Sequence, residues 1–164
     1  MTNDFFLEAI NREFPEAILS TKDSFGMMTV EIKKDKIKKV IHHMKESTLQ
    51  IDFLTDICGV HYPEFPEKEI AVVYHLQNMR TNFRIRLKAF STKSNAEFDS
   101  LTDIYAAANW MERETYDFYG VKFTGHPDLR VILNMEDIGY HPMLKEYALE
   151  DGTRSDKDDA MFGR

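Results

Sequence analysis

The sequence has very little cysteine: Cys58 is the only one among 164 residues. A single thiol excludes an internal disulfide, and it excludes an iron–sulfur cluster held by this chain alone, since such a cluster typically needs about four thiolates. No apolar run approaches the roughly 20 residues of a transmembrane helix. The opening MTNDFFLEAINREF has acids and no positive n-region, which is not typical of a signal peptide. We therefore expect a cytosolic chain, or one that reaches a membrane only through partners.

The motifs of common catalytic and cofactor sites are also missing. The seven glycines form neither a phosphate-binding loop nor a dinucleotide fingerprint. There is no H-E-x-x-H motif and no G-x-S-x-G motif, and none of the six histidines has a partner at metal-ligand spacing. The sequence therefore predicts no catalytic residue, no metal site and no cofactor site in this chain.

Charge is abundant but unevenly distributed. The net charge is −7, yet residues 33–45 hold six lysines and one acid, whereas residues 134–164 hold eight acids and four bases. A net acidic chain disfavours a dedicated nucleic-acid binder, and the asymmetry indicates surfaces that face different partners. A small nucleic-acid-binding module remains a distant alternative, with Phe83, Arg84, Arg86 and Lys88 on an open sheet as its binding surface.

Hydrophobic periodicity predicts elements in the order αββαβββα. Because strands and helices do not alternate one for one, we expect a two-layer α+β fold: a mixed sheet of about five strands with helices on one face. The predicted helices are Asn3–Phe14, Ile37–Met44 and Ser100–Tyr119, and the predicted strands are Ala17–Lys22, Phe25–Lys33, Leu49–Phe53, Ile70–Leu76 and Asn82–Phe90.

The periodicity fades after Leu133, and the remaining chain is polar with few apolar anchors. This pattern predicts a globular domain at 1–133 followed by an extended tail at 134–164. Ordering such a tail opposes about 1–2 kcal/mol of backbone entropy per residue, which burial against a partner would offset. We therefore expect the tail to bind a partner and the domain to fold without it.

The segment WMERETYDFYG, at the predicted end of the last helix, concentrates charge. Glu112 and Glu114 should point about 200° apart on a helix, so they are not placed for joint acid–base work. Arg113 and Asp117 are four residues apart and can pair on the helix surface. The segment is therefore either a solvated ion pair or a binding surface, and catalysis is the least favoured interpretation.

The same segment resembles the C-subunit family of the proton-pumping NADH–quinone oxidoreductase, respiratory complex I. The resemblance spans roughly residues 15–147, and its specific part is a W-x-E-R-E-x-x-D-x-[FY]-G helix end followed by G-H-P-D-L-R and H-P-[LM]-x-K-[DE]-[YF]. Two positions depart from the family pattern, because Val131 and Leu144 stand where arginine is usual. The residues that match are Trp110, Glu112, Arg113, Glu114, Asp117, Tyr119, Gly120, 125–130 and 141–147.

The resemblance implies a cofactor-free subunit of the peripheral arm, on the cytoplasmic side of the inner membrane. FMN, iron–sulfur clusters and quinone would be bound by other subunits, and the implied neighbours are the quinone-site subunit and the subunit with the terminal cluster. The isolated chain should then not oxidise NADH. The homologous subunit of a membrane-bound hydrogenase, or of an F420- or ferredoxin-driven dehydrogenase, is the alternative. The implied partner-interface residues are Trp110, Glu112, Arg113, Glu114, Asp117, Gly120, His126, Pro127, Asp128, Arg130, Pro142 and Lys145.

Overall fold

The computed structural model describes residues 2–148. Three α-helices and five long strands follow the predicted order, and two short strands are added near the third helix. The elements are α1 (Asn3–Glu13), β1 (Ile18–Ser24), β2 (Met27–Ile32), α2 (Ile37–Glu46), β3 (Phe53–His61), β4 (Ile70–Asn78), β5 (Phe83–Ser91), β6 (Glu97–Asp99), α3 (Ala108–Tyr119) and β7 (Lys122–Thr124).

The long strands form one mixed sheet in the order β1-β2-β5-β4-β3. The β2–β5 pair is parallel and the other three pairs are antiparallel. This confirms the predicted α+β fold with a mixed five-stranded sheet. The parallel pair of β6 and β7 was not predicted, because a strand of three residues is too short to show periodicity.

The core lies between one face of the sheet and the helices. The apolar stripe of α2 is completely buried, as its spacing predicts, with Ile37, Val40, Ile41 and Met44 at 0% exposure. On the sheet side, alternate residues of each strand join the same core; on β5 these are Ile85, Leu87 and Ala89. The predicted alternation of β5 is therefore confirmed, with Arg84, Arg86 and Lys88 on the opposite face.

Two predicted boundaries are wrong. The last helix begins at Ala108, not at Ser100: residues 101–107 form turns, although Leu101 and Ile104 are buried as in a helical stripe. The third strand is Phe53–His61, so the predicted strand Leu49–Phe53 shares only Phe53 with it. Leu49 and Ile51 are buried from a loop, in which Gln50 between them has a left-handed φ of 47°. In both segments the chain is irregular, but its buried apolar residues have the spacing expected of a helix or a strand.

The described part of the predicted tail, residues 134–148, lies against the domain. The Met143 amide donates to the Phe118 carbonyl at 3.1 Å, and Leu144 is buried in the core cluster. Residues 149–164 are outside the described residues. The division at Leu133 therefore stays a prediction, with the added fact that Leu144 contributes to the core.

Helix α3 approaches β3 most closely at Gly59. A Cβ atom built on Gly59 would lie 2.4 Å from Cδ2 and 2.7 Å from Cγ of the Tyr119 ring. These ring atoms sit near the helix backbone and cannot move away freely. The glycine therefore sets the distance between α3 and the sheet.

Replacing this glycine should destabilise the domain. We expect Gly59→Ala to lower the free energy of unfolding by about 1–3 kcal/mol, the usual effect of overpacking a core. Urea unfolding measures the change, and a double-mutant cycle with Tyr119→Ala, which removes Cγ and the ring, isolates its cause. The alanine at position 59 should be less harmful in the Tyr119→Ala background; equal effects in both backgrounds would contradict the contact.

Candidate functional site

Helix α3 buries three ionisable side chains and carries the segment singled out from the sequence. Glu112, Arg113 and Asp117 are 0%, 7% and 1% exposed, whereas Glu114 is exposed. The helix ends at Gly120, which adopts the left-handed conformation (φ 73°) expected of a C-terminal cap. Three of the four charged side chains in Glu112–Asp117 therefore face the protein, which contradicts the alternative of a solvated ion pair between Arg113 and Asp117.

Arg113 holds the chain that follows the helix. Its Nε and Nη2 donate to the backbone carbonyls of Arg130 and Val131 at 3.2 and 3.0 Å. The guanidinium also lies 5.1 Å from the centre of the Trp110 ring. Among residues 2–148 it makes no ion pair with Asp117, so the predicted pairing of these two residues is wrong.

Asp117 binds the next residues of the same segment. Its Oδ2 accepts the amides of Ile132, Leu133 and Asn134 at 3.1, 2.8 and 3.0 Å, and its Oδ1 accepts the Asn134 side chain at 2.8 Å. Burial raises the pKa of this carboxyl, but the hydrogen bonds from Asn134, Leu133 and Ile132 outweigh burial and lower the pKa to about 2. Asp117 is thus a charged anchor for backbone amides.

Glu112 points to the other side of α3 and fixes the turns before the helix. Its carboxylate accepts the Ser100 hydroxyl at 2.7 Å and the Leu101 amide at 2.6 Å. Burial raises the pKa of Glu112 to about 7, against the two hydrogen bonds, which lower it. This contact holds the start of the non-helical segment 100–107.

Two histidines tie later segments to α3. His126 accepts the Asp128 amide at Nδ1 (3.0 Å), so its Nε2–H donates to the Asn109 carbonyl (3.0 Å). His141 donates from Nδ1 to the Asp117 carbonyl at 2.9 Å and covers Gly120, where a Cβ would lie 2.6 Å from the imidazole. Both histidines therefore act as backbone braces.

The remaining residues implied by the resemblance lie around this centre with different exposure. Asp128 and Arg130 form an exposed pair at 2.9 Å, Pro127 and Lys145 are exposed, and Pro142 is half-buried. Two of these residues also contact other elements through their backbone: the Arg130 carbonyl accepts Arg113 Nε of α3, and the Lys145 amide donates to the ring of His61.

His61 is a further brace, and no motif in the sequence singles it out. It is 3% exposed, accepts the Lys145 amide at Nδ1 (2.9 Å) and contacts Glu69 through Nε2 (3.0 Å). No local pattern could have identified it, because its partners are 84 and 8 residues away.

Two general features of the described residues bear on function. Within residues 2–148, no three His, Cys, Asp or Glu side chains are grouped so as to hold a metal ion. Over the same residues, no helix has the length and hydropathy of a membrane span.

Comparison with known proteins identifies the family of this chain. Residues 30–153 match the family described as "Respiratory-chain NADH dehydrogenase, 30 Kd subunit", a region that contains all of α3 and its partners. The chain belongs to this family. The C subunit of the NADH-quinone oxidoreductase of Geobacter sulfurreducens is 36% identical over 141 residues, which is 86% of each chain.

Two solved structures have the same fold. One is described as "Nqo5 of the trypsin-resistant fragment (1-134)"; it has a TM-score of 0.65 and 28% identity, and the match covers 76% of this chain and 99% of that one. The other belongs to an archaeal membrane-bound sulfane sulfur reductase, with a TM-score of 0.74, 26% identity and coverage of 89% and 85%. The fold therefore also occurs in a membrane complex that is described as a sulfane sulfur reductase.

The two buried carboxyls should give opposite pH dependence. Asp117 is stabilised as an anion, so its contribution is present above pH 3.8 and is lost as pH falls towards 2. Glu112 binds its proton more tightly in the folded state, so stability should fall as pH rises from 4.5 to about 7. In Asp117→Asn, the loss of stability that Asp117 causes between pH 3.8 and about 2 should disappear. In Glu112→Gln, the decline in stability between pH 4.5 and about 7 should disappear. Urea unfolding across this pH range checks both; a Glu112→Gln profile parallel to wild type would contradict the raised pKa.

Proposed function

We propose that this chain is a cofactor-free assembly subunit in the peripheral arm of a proton-translocating NADH-quinone oxidoreductase. In this proposal, α3 and the loop it holds form the surface that meets neighbouring subunits. Family membership and the Geobacter relative support the assignment to this complex. The observation that carries the role is geometric: the hydrogen bonds of Arg113, Asp117 and Glu112 are directed at the protein's own chain, and they fix what that chain exposes.

Part of the exposed surface is apolar. Trp110, Leu133 and Met135 are 61%, 65% and 71% exposed, and all three lie on or beside the segment that Arg113 and Asp117 hold. Grouped apolar side chains at a surface mark interaction sites in soluble domains. The Trp110 ring also stacks on the Arg113 guanidinium, which limits its rotamers before a partner arrives. A rigid aromatic at the centre of a patch is typical of an interface anchor.

The finer assignments extend the resemblance. We propose that the quinone-site subunit and the subunit with the terminal iron–sulfur cluster are the neighbours of this surface, on the cytoplasmic side of the inner membrane. FMN, the clusters and quinone would be held by those and other subunits, and the isolated chain would not oxidise NADH. The solved relative described as a trypsin-resistant fragment supports a domain that is stable by itself. We propose that the C-terminal segment at 134–164 binds a partner.

The similarity to the sulfane sulfur reductase structure is the observation that favours an alternative complex. Its identity to this chain is 26%, against 36% for the Geobacter C subunit, and the matching family is the NADH dehydrogenase subunit. The NADH-quinone oxidoreductase is therefore the better supported complex.

Trp110 offers the cleaner test of the interface, because Arg113 is buried and its replacement would disturb folding and assembly together. We expect Trp110→Ala to leave urea unfolding within about 1 kcal/mol of wild type. It should nevertheless weaken binding by about 2–4 kcal/mol, as interface anchors do. The measurement is the amount of the other complex subunits that co-purify with the tagged chain.

Phe25→Ala is the matched control, since Phe25 is a fully exposed aromatic in the β1–β2 turn. It should change neither unfolding nor co-purification. Full co-purification of the Trp110 variant would show that this surface is not an interface.

A further inference from the structure

The second face of the sheet points away from the helices and carries a continuous row of polar side chains. The strand register places Lys22 beside Thr29, Thr29 beside Arg86, Arg86 beside His75 and His75 beside Asp56. This row crosses all five strands. Four of its members lie in half-buried positions and Lys22 is exposed. Lys22, Thr29, Arg86 and His75 line an open depression on this face.

The neighbouring row adds a second cation and apolar surface. Here Glu31 lies beside Lys88, Lys88 beside Val73 and Val73 beside Cys58. The Lys88 ammonium lies 4.5 Å from the centre of the Tyr62 ring. It also donates a hydrogen bond to the Tyr62 hydroxyl. The depression therefore combines positive charge with aromatic and aliphatic groups that are half-buried (Tyr62, Val60 and Cys58) or buried (Val73).

Neither Arg86 nor Lys88, the two cations at the centre of this face, makes an ion pair with a carboxylate among residues 2–148. Arg86 donates to His75 Nε2 at 2.8 Å and to Thr29 Oγ1 at 3.2 Å, both neutral acceptors. The two carboxylates of this face are engaged elsewhere, because Glu31 pairs with Lys68 and Asp56 faces His75.

The charge of this face is opposite to that of the chain. Its strands carry Lys22, Arg84, Arg86 and Lys88 against Glu31 and Asp56, whereas the whole chain has a net charge of −7. Half-buried cations gain more from a partner's anion than exposed ones, because the local dielectric is lower. Charge of this sign on an acidic protein also selects the orientation of an incoming acidic partner.

We propose that this sheet face binds an acidic polypeptide segment of another subunit of the complex. Asp or Glu side chains of that segment pair with Arg86 and Lys88, and its apolar side chains cover Val60, Val73 and Cys58. The inference rests on the proposed function, since it takes the partner from the same complex. It adds a second interface, on the side of the sheet opposite to the helix layer that contains α3.

Zero-length cross-linking of the purified complex tests the contact directly. A water-soluble carbodiimide joins a lysine amine to a carboxylate in contact with it, forming an amide with net loss of water. We expect a link from Lys88 or Lys22 to an Asp or Glu of another subunit. The Lys68–Glu31 ion pair is an internal control for the chemistry. Links only to this chain's own carboxylates at 150–159, or none while the control link forms, would overturn the proposal.

Charge reversal provides the second arm. Lys88→Glu should reduce the co-purified subunits about tenfold, whereas Lys39→Glu, an exposed lysine of α2, should not. If Lys88→Glu unfolds the chain, Lys88→Gln replaces it, with a smaller loss of the same sign. Normal co-purification of a folded Lys88 variant overturns the inference.

The outcomes also separate the inference from the proposed function. If the wild-type chain recovers no subunits of the complex, the proposed function fails and this inference with it. If Trp110→Ala loses the complex but Lys88→Glu keeps it, only this inference fails. Tight binding of single-stranded DNA at physiological salt, lost in Lys88→Glu, would assign the face to nucleic acid and overturn the proposal.

Discussion

The chain between residues 130 and 134 has no regular secondary structure, and two side chains of α3 supply its hydrogen bonds. Arg113 donates to the carbonyls of Arg130 and Val131, and Asp117 accepts the three amides that follow. Buried backbone groups must be paired, and a segment without a strand or helix has to find its partners in side chains. Arg113 and Asp117 are one helical turn apart. The cation pairs with the carbonyls of the segment, and the anion pairs with its amides.

The rest of the site depends on the same helix. Glu112 fixes the turns before α3, and His141 covers Gly120 just after it. Gly59 lets Tyr119 approach the sheet, so the helix lies directly on β3. From this position its other side chains reach the loops on either side. The concentration of charge in this short segment therefore has a structural cause: Arg113 and Asp117 hold the chain that follows the helix, and Glu112 holds the turns that precede it. The surface offered to partners follows from these contacts.

The sequence was a good guide where regular elements bury one face. The order of elements, the mixed sheet, the α2 stripe and the two faces of β5 follow from periodicity, and the family follows from the motif around Trp110. It was a poor guide where the partners are distant. The spacing of Arg113 and Asp117 suggests a pair within the helix, but both find stronger partners 15 to 18 residues away. Leu101 and Ile104 fit a helical stripe, yet the Glu112 carboxylate holds their segment as turns. The inward orientation of all three ionisable groups has no signature in local sequence.

Hydrogen exchange at the amides of Ile132, Leu133 and Asn134 tests the central claim most directly. If Asp117 holds them, these amides should exchange at least about tenfold more slowly than those of Glu136 and Asp137 in the exposed turn that follows. In Asp117→Ala that protection should disappear, while the amides of β4 remain protected. Rapid exchange at residues 132–134 in the wild-type chain would contradict the account, because the segment would then not be held by α3.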